Sequence, residues 1–128
     1  LPDILQTKTK YWFMREQTRD KDRLNHILEA INLVSDFINN VSFEDFVNDK
    51  MRYYAMVKNI EIVGEAAYKL SNEFKESHKE TPWKVIAGMR HYIVHDCFRV
   101  DDNVVWDVVT NDLPQLKKQL EEYISEFK

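Results

Sequence analysis

The run Met89-Arg90-His91-Tyr92-Ile93-Val94-His95-Asp96-Cys97-Phe98 concentrates the residues of this chain that could do chemistry. Arg90 falls on the apolar stripe of a helical pattern with Trp83, Ile86, Ala87, Ile93, Val94 and Cys97. A guanidinium is always charged, and hiding it is costly unless the charge is paired. His95 follows five residues later, and imidazole is the side chain most easily poised to move protons near neutral pH. A permanent cation near a titratable ring suits phosphate chemistry. The arginine can grip two phosphate oxygens while the histidine takes or gives a proton.

Geometry limits how the two can cooperate. Residues five apart on one ideal helix diverge by roughly 140°. Either the helix ends near Val94 to Asp96, or a second subunit completes the site, with two such stripes face to face in a symmetric dimer. The structural alternative is that Arg90 forms a buried ion pair with Glu61 or Glu65 and His95 merely caps the helix. Asp96 either orients an imidazole or serves the helix end. Lys84 and Arg99 either add local positive charge or are solvated. His91 and His95 also have the i, i+4 spacing of zinc ligands, but no glutamate lies between them, and Asp96 or Cys97 would have to approach from an awkward direction. Cys97 could be a reactive thiol beside cations; its place on the apolar stripe favours a buried small hydrophobe.

The rest of the chain reads as the scaffold for this run. The 128 residues suit one domain, and 44% hydrophobic with 31% charged residues suits a core-forming one. Two glycines and three prolines are too few turn-formers for a sandwich or barrel. No apolar run approaches the roughly 20 residues that cross a bilayer, and the opening does not read as a signal peptide. A cytoplasmic location is expected. The single cysteine excludes an intrachain disulfide. A net charge of −4 argues against a general nucleic-acid coat protein, though not against an enzyme that touches RNA at one basic site.

The expected fold is all-α, an antiparallel four- to five-helix bundle. Residues 1–13 show no clear period and are expected to be an N-terminal extension or tag, with Tyr11, Trp12 and Phe13 available for packing; residues 14–128 form a single helical domain. Helix one is expected from Thr18 to Asn40, on the stripe Leu24, Ile27, Leu28, Ile31, Val34 and Ile38. Asn39-Asn40 supplies its stop, and Ser42 to Asp45 resembles a capping box opening a short helix at 43–48. The next helix is expected over 50–76, with Tyr53, Met56, Val57, Ile60, Val63, Ala67, Leu70 and Phe74 inward. The small residues around Gly64 suggest close helix–helix approach. Thr81-Pro82 is a strong helix start: threonine caps it, and proline suits the first helical position. Asp101 or Asp102 caps a further helix, and Pro114 must bend or restart it.

Arg-His-Tyr-Ile-Val-His-Asp-Cys at 90–97 resembles the Arg-x4-His-x-Tyr motif of the HepT-like proteins, a bacterial branch of the HEPN superfamily. The likeness extends over Asp22–Ile31, Asn59–Ala67, Pro82–Arg90 and Val105–Leu116, about residues 15–125 in all. Together these blocks are specific, where Arg-x4-His alone would be weak. The resemblance implies an all-α bundle that forms a homodimer or a higher even oligomer. It implies a metal-independent ribonuclease toxin that needs no cofactor and takes RNA as substrate. It also implies a partner, a nucleotidyltransferase antitoxin of the MntA type, thought to silence the toxin by adding AMP to the motif tyrosine. By position, Arg90 and His95 are the catalytic residues, and the modified tyrosine falls at Cys97.

The chain departs from the pattern at that point. A thiol lacks the phenol ring and is a weaker hydrogen-bond donor, and adenylylation at oxygen is impossible at Cys97. His91 stands where relatives often carry asparagine. A catalytically inert nucleotide- or partner-binding subunit of a nucleotidyltransferase complex is therefore the alternative reading.

Overall fold

The computed structural model describes the backbone of residues 2–95 and 101–127 and the side chains of residues 19–90 and 101–127. Among the described residues the elements are α1 (Pro2–Ile38), α2 (Phe43–Asn48), α3 (Lys50–Tyr68), α4 (Asn72–Ser77), α5 (Trp83–His95), α6 (Asp102–Asp107), a π-helical stretch (Val108–Asp112) and α7 (Leu113–Glu126), with no strand. The all-α class stands, carried by the long helices α1, α3, α5 and the continuous α6–α7 run. None of the described helices is long and apolar enough to cross a membrane.

α1 extends further than its apolar stripe requires, starting at Pro2 rather than near Thr18. Proline suits a first helical turn, and Leu5, Gln6, Lys8, Met14 and Glu16 are good helix formers even without a period. The packing of Tyr11, Trp12 and Phe13 lies outside the described residues. From Leu24 onward four of the six expected stripe residues, Leu24, Ile27, Ile31 and Val34, are buried and joined by Ala30, while Leu28 and Ile38 are only half-buried. The helix stops at the asparagine pair, where Asn40 takes the left-handed conformation (φ 60°) common after a helix.

Ser42 caps α2, its hydroxyl accepting from the Asp45 amide at 3.1 Å. Phe46 is fully buried between Tyr53 and Trp106. Asp49 then caps α3 through the Arg52 amide. Burial, first of all, and the hydrogen-bonded Asp102 carboxylate push the Tyr53 phenol up to about 12, which ties α3 to the start of α6.

The helix expected over 50–76 is two helices. The reason is a polar junction that no apolar pattern reveals. Asp20 of α1 is buried and accepts from both the amide (2.8 Å) and the hydroxyl (2.6 Å) of Ser71. Ser71 in turn accepts from the Phe74 amide and starts α4. A serine held this way competes with helix continuation. Arg23 of α1 also donates to the Lys69 carbonyl, so α1 and α3 run antiparallel.

α5 begins after Pro82, but the Thr81 side chain is not its cap. The Thr81 hydroxyl donates to Gln119 Oε1 at 2.7 Å and meets the Tyr123 hydroxyl at 2.6 Å, both on α7. Asp101 caps α6 through the Asn103 amide. Pro114 does not restart the helix: residues 102–126 are helical without a break. The chain widens into a π turn, closed by the Leu113 amide on the Val108 carbonyl, and the proline falls in the first turn of α7. The widened turn accommodates a proline that can donate no amide to the helical ladder.

Candidate functional site

The site is built on the crossing of α3 and α5. Gly64 is buried at that crossing, and a Cβ added to it would stand 2.8 Å from Arg90 Cβ, 2.9 Å from the Arg90 nitrogen and 3.1 Å from the Ile86 carbonyl oxygen. Only glycine allows this approach. Glu65 and Tyr68, one and four residues further along α3, therefore come within reach of the Arg90 side chain.

Arg90 is held on two sides. Its Nη1 donates to Glu65 Oε2 at 2.8 Å. Its Cζ lies 3.9 Å from the centroid of the Tyr68 ring, a cation–π contact. Glu65 also faces Lys69 at 3.7 Å. Of the two carboxylates considered for Arg90, Glu65 is the partner, and Glu61 pairs with Lys58 instead. The arginine is not fully hidden: 29% of its side chain is exposed. Its Nε is nevertheless buried, with no hydrogen-bond partner among the described residues. An unsatisfied buried donor costs roughly 1–3 kcal/mol, so it is an exception that needs a reason.

More positive charge gathers here than Lys84 and Arg99 suggested. Arg23 donates to the Lys69 carbonyl and Lys75 to the Tyr68 carbonyl, so Arg23, Lys69, Lys75 and Arg90 share one end of α3 within an acidic chain. Lys84 is exposed, and Arg99 lies outside the described residues. Tyr68 carried no signal by itself in the sequence. Its spacing from Gly64 and Glu65 on one helical face was the available clue.

α5 is helical through His95, so the backbone positions of Arg90 and His95 lie roughly 140° apart around one axis. The side chains of His91 and His95, and all of Asp96 and Cys97, lie outside the described residues, as do the zinc and thiol alternatives that depend on them. Among the described residues no cluster of His, Cys, Asp and Glu is arranged to hold a metal ion.

A family profile described as "Ribonuclease HepT-like" matches residues 27–123. A protein of Thermococcus cleftensis named "Probable ribonuclease HepT" is 43% identical over 101 residues, covering 79% of this chain and 92% of that protein. A protein of Caldanaerobacter subterraneus subsp. tengcongensis, described as a candidate RNase, is 39% identical over 105 residues, covering 82% of this chain and 94% of its own length. A similarly described protein of Methanocaldococcus jannaschii is 37% identical over 98 residues, covering 77% and 90% respectively. No solved structure matches the chain. The profile spans most of the helical domain, from the middle of α1 to the end of α7, and takes in the Arg90–His95 run. The chain belongs to the HepT-like ribonuclease family.

Proposed function

We propose that the chain is a metal-independent endoribonuclease toxin of a toxin–antitoxin pair, with Arg90 and His95 as its catalytic residues. The observation that carries the reading is the Arg90 guanidinium: seated by Glu65 and Tyr68, partly exposed, and left with an unpaired Nε donor. In the reaction, the 2′-hydroxyl of RNA attacks the adjacent phosphorus. The new 2′-O–P bond forms as the P–O5′ bond breaks, leaving a 2′,3′-cyclic phosphate and a 5′-hydroxyl. His95 accepts the 2′ proton, and a second imidazole protonates the departing 5′ oxygen. Such proton transfers typically contribute on the order of 100- to 10,000-fold. Arg90 holds the non-bridging oxygens and stabilises the charge that grows on them.

The divergence of positions 90 and 95 on one helix supports a homodimer, or a higher even oligomer, in which each protomer lends its histidine to the other's arginine. His91 and Asp96 support the imidazoles. An MntA-type nucleotidyltransferase is the proposed antitoxin partner, and the cytoplasm is the proposed location.

Incubation with single-stranded RNA and EDTA, beside His95→Ala, tests the reading. Cleavage that persists in EDTA and disappears in the variant is the expected result; equal cleavage by both proteins would reject it. Cys97 favours a second reading, an inert nucleotide- or partner-binding subunit of the nucleotidyltransferase complex. Cys97→Tyr separates the two: a growth defect on expression fits the toxin, and unchanged growth with intact partner binding fits the inert subunit.

A further inference from the structure

We infer that Glu65 and Tyr68 are positioning residues that aim one edge of the Arg90 guanidinium at a phosphate. The inference rests on the assignment of Arg90 as a phosphate ligand and adds what orients it. A guanidinium offers two forks for an oxyanion: the Nη1–Nη2 end, and the side edge formed by Nε and Nη2. Glu65 takes Nη1 alone, at 2.8 Å. That bond uses up the end fork and leaves the side edge whole. The Tyr68 ring lies beneath the guanidinium, its centroid 3.9 Å from Cζ, so the group cannot swing away from Glu65 on that side without losing the contact. The edge keeps two donors, Nη2 and Nε; Nε is buried without a partner among the described residues, so a phosphate has to enter the edge from the Nη2 side.

A carboxylate beside a phosphate site can also compete with the phosphate for the cation. The geometry separates the two roles, because a competing carboxylate would occupy the bidentate edge, and Glu65 does not. Its placement is itself fixed by Gly64, which brings α3 against α5, and by Lys69, which faces the other Glu65 oxygen at 3.7 Å. Lys69 offsets part of the negative charge that an incoming phosphate would meet. Tyr68 as a residue is 55% exposed, and Lys75 Nζ lies 5.8 Å from its ring centroid. The platform therefore stands in a cationic rim at the surface rather than in the core.

The test uses the full chain and inorganic phosphate. The Arg90 Nε–H resonance is followed by nitrogen-edited NMR during phosphate titration, in wild type, Glu65→Gln, Glu65→Ala, Tyr68→Phe and Tyr68→Ala. Wild type is expected to show a saturable shift at Nε–H. Glu65→Gln keeps an acceptor for Nη1 and should bind phosphate at least as tightly. Glu65→Ala loses the acceptor and should weaken binding by roughly tenfold, the scale of one lost charge-assisted hydrogen bond in orientation. Tyr68→Phe keeps the ring and should match wild type, and Tyr68→Ala should follow Glu65→Ala. In RNA cleavage the two alanine variants should lose kcat by roughly 10- to 100-fold, as misplaced groups do, with the two conservative variants rescuing it. Tighter phosphate binding by Glu65→Ala would show a competitor and overturn the inference, as would an Nε–H signal that ignores phosphate. A wild type that shifts with phosphate yet cleaves no RNA would instead reject the ribonuclease reading and leave the positioning intact.

Discussion

Gly64 lies against the backbone of Arg90, closer than any side chain would allow: an added Cβ would stand 2.8 Å from Arg90 Cβ and 2.9 Å from the Arg90 nitrogen. None of its near neighbours is the loose tip of a flexible chain, so α5 itself would have to move. Gly64→Ala is expected to destabilise by about 1–3 kcal/mol, the usual cost of overpacking, despite roughly 1 kcal/mol of better helix propensity. It should also pull Arg90 off Glu65 and lower RNA cleavage. Gly88, also on α5, whose added Cβ would meet nothing within 4 Å among the described residues, is the control. Gly88→Ala should raise the melting temperature, and thermal melts of both variants followed by circular dichroism check the pair. A stabilising Gly64→Ala would mean that α5 is not held this closely.

Arg90→Lys keeps the charge and loses the plane. An ammonium cannot present two parallel donors, and it stacks less well on an aromatic face. The variant should fold, keep a Glu65 contact, and cleave RNA at roughly 1% of the wild-type rate or less, the scale for losing one oriented electrostatic donor. A lysine variant with near-normal kcat would mean that charge alone suffices at this position.

The sequence carried the apolar architecture well and the polar junctions poorly. Leu24, Ile27, Ile31 and Val34 repeat at helical spacing because they must share one buried side, so α1's inner face could be read directly. The Ser42 cap and the Asn40 stop were legible because each acts within a few residues of itself. The break at Ser71 depends on Asp20, fifty-one positions away, and no local pattern encodes a partner that distant. Thr81 looked like a cap from its neighbours but is claimed by α7. At the site, Arg90 stood out because a cation on an apolar stripe demands a partner, and its choice of Glu65 over Glu61 needed the helix crossing. Tyr68 was invisible because an exposed aromatic has many explanations until a guanidinium is found against it.

Asp20 should be among the costliest surface-proximal positions to truncate. It is 4% exposed and accepts two hydrogen bonds from Ser71. Asp20→Ala would leave the Ser71 amide without its acceptor and unpin the start of α4. Bonds to a charged acceptor are worth roughly 1.5–3 kcal/mol, and urea denaturation should show a loss of that order. Ser71→Ala should cost less, because the backbone amide keeps its bond to Asp20. The reverse ranking would show that the hydroxyl, not the amide, is the important partner.

His78 should make stability depend on pH. Its Nδ1 faces the Phe74 carbonyl at 2.9 Å and the Ser77 hydroxyl at 3.0 Å, a hydroxyl that donates to the Glu73 and Phe74 carbonyls, and its Nε2 faces Glu126 at 2.8 Å. A carbonyl and a carboxylate can only accept, so both ring nitrogens donate only when the imidazole is a cation. Burial opposes that charge, but the hydrogen bonds to Glu126 and Phe74, with the nearby Glu126 and Glu80 carboxylates, outweigh it and hold the pKa above the ordinary histidine value. The raised folded-state pKa means that the clasp between α4 and α7 is fully formed below about pH 6.5, the unfolded value, and is lost as pH rises through the folded one. Glu126 is 57% exposed, so solvent screening keeps the contribution at or below about 1 kcal/mol. Wild type should therefore exceed Glu126→Gln in melting temperature at pH 6, with the gap closing by pH 9. NMR titration of the His78 ring should return a pKa above 6.5 that falls in the variant. A gap that widens with rising pH would mean the imidazole is neutral in the folded protein and that Glu126 meets it as an acceptor of a single N–H.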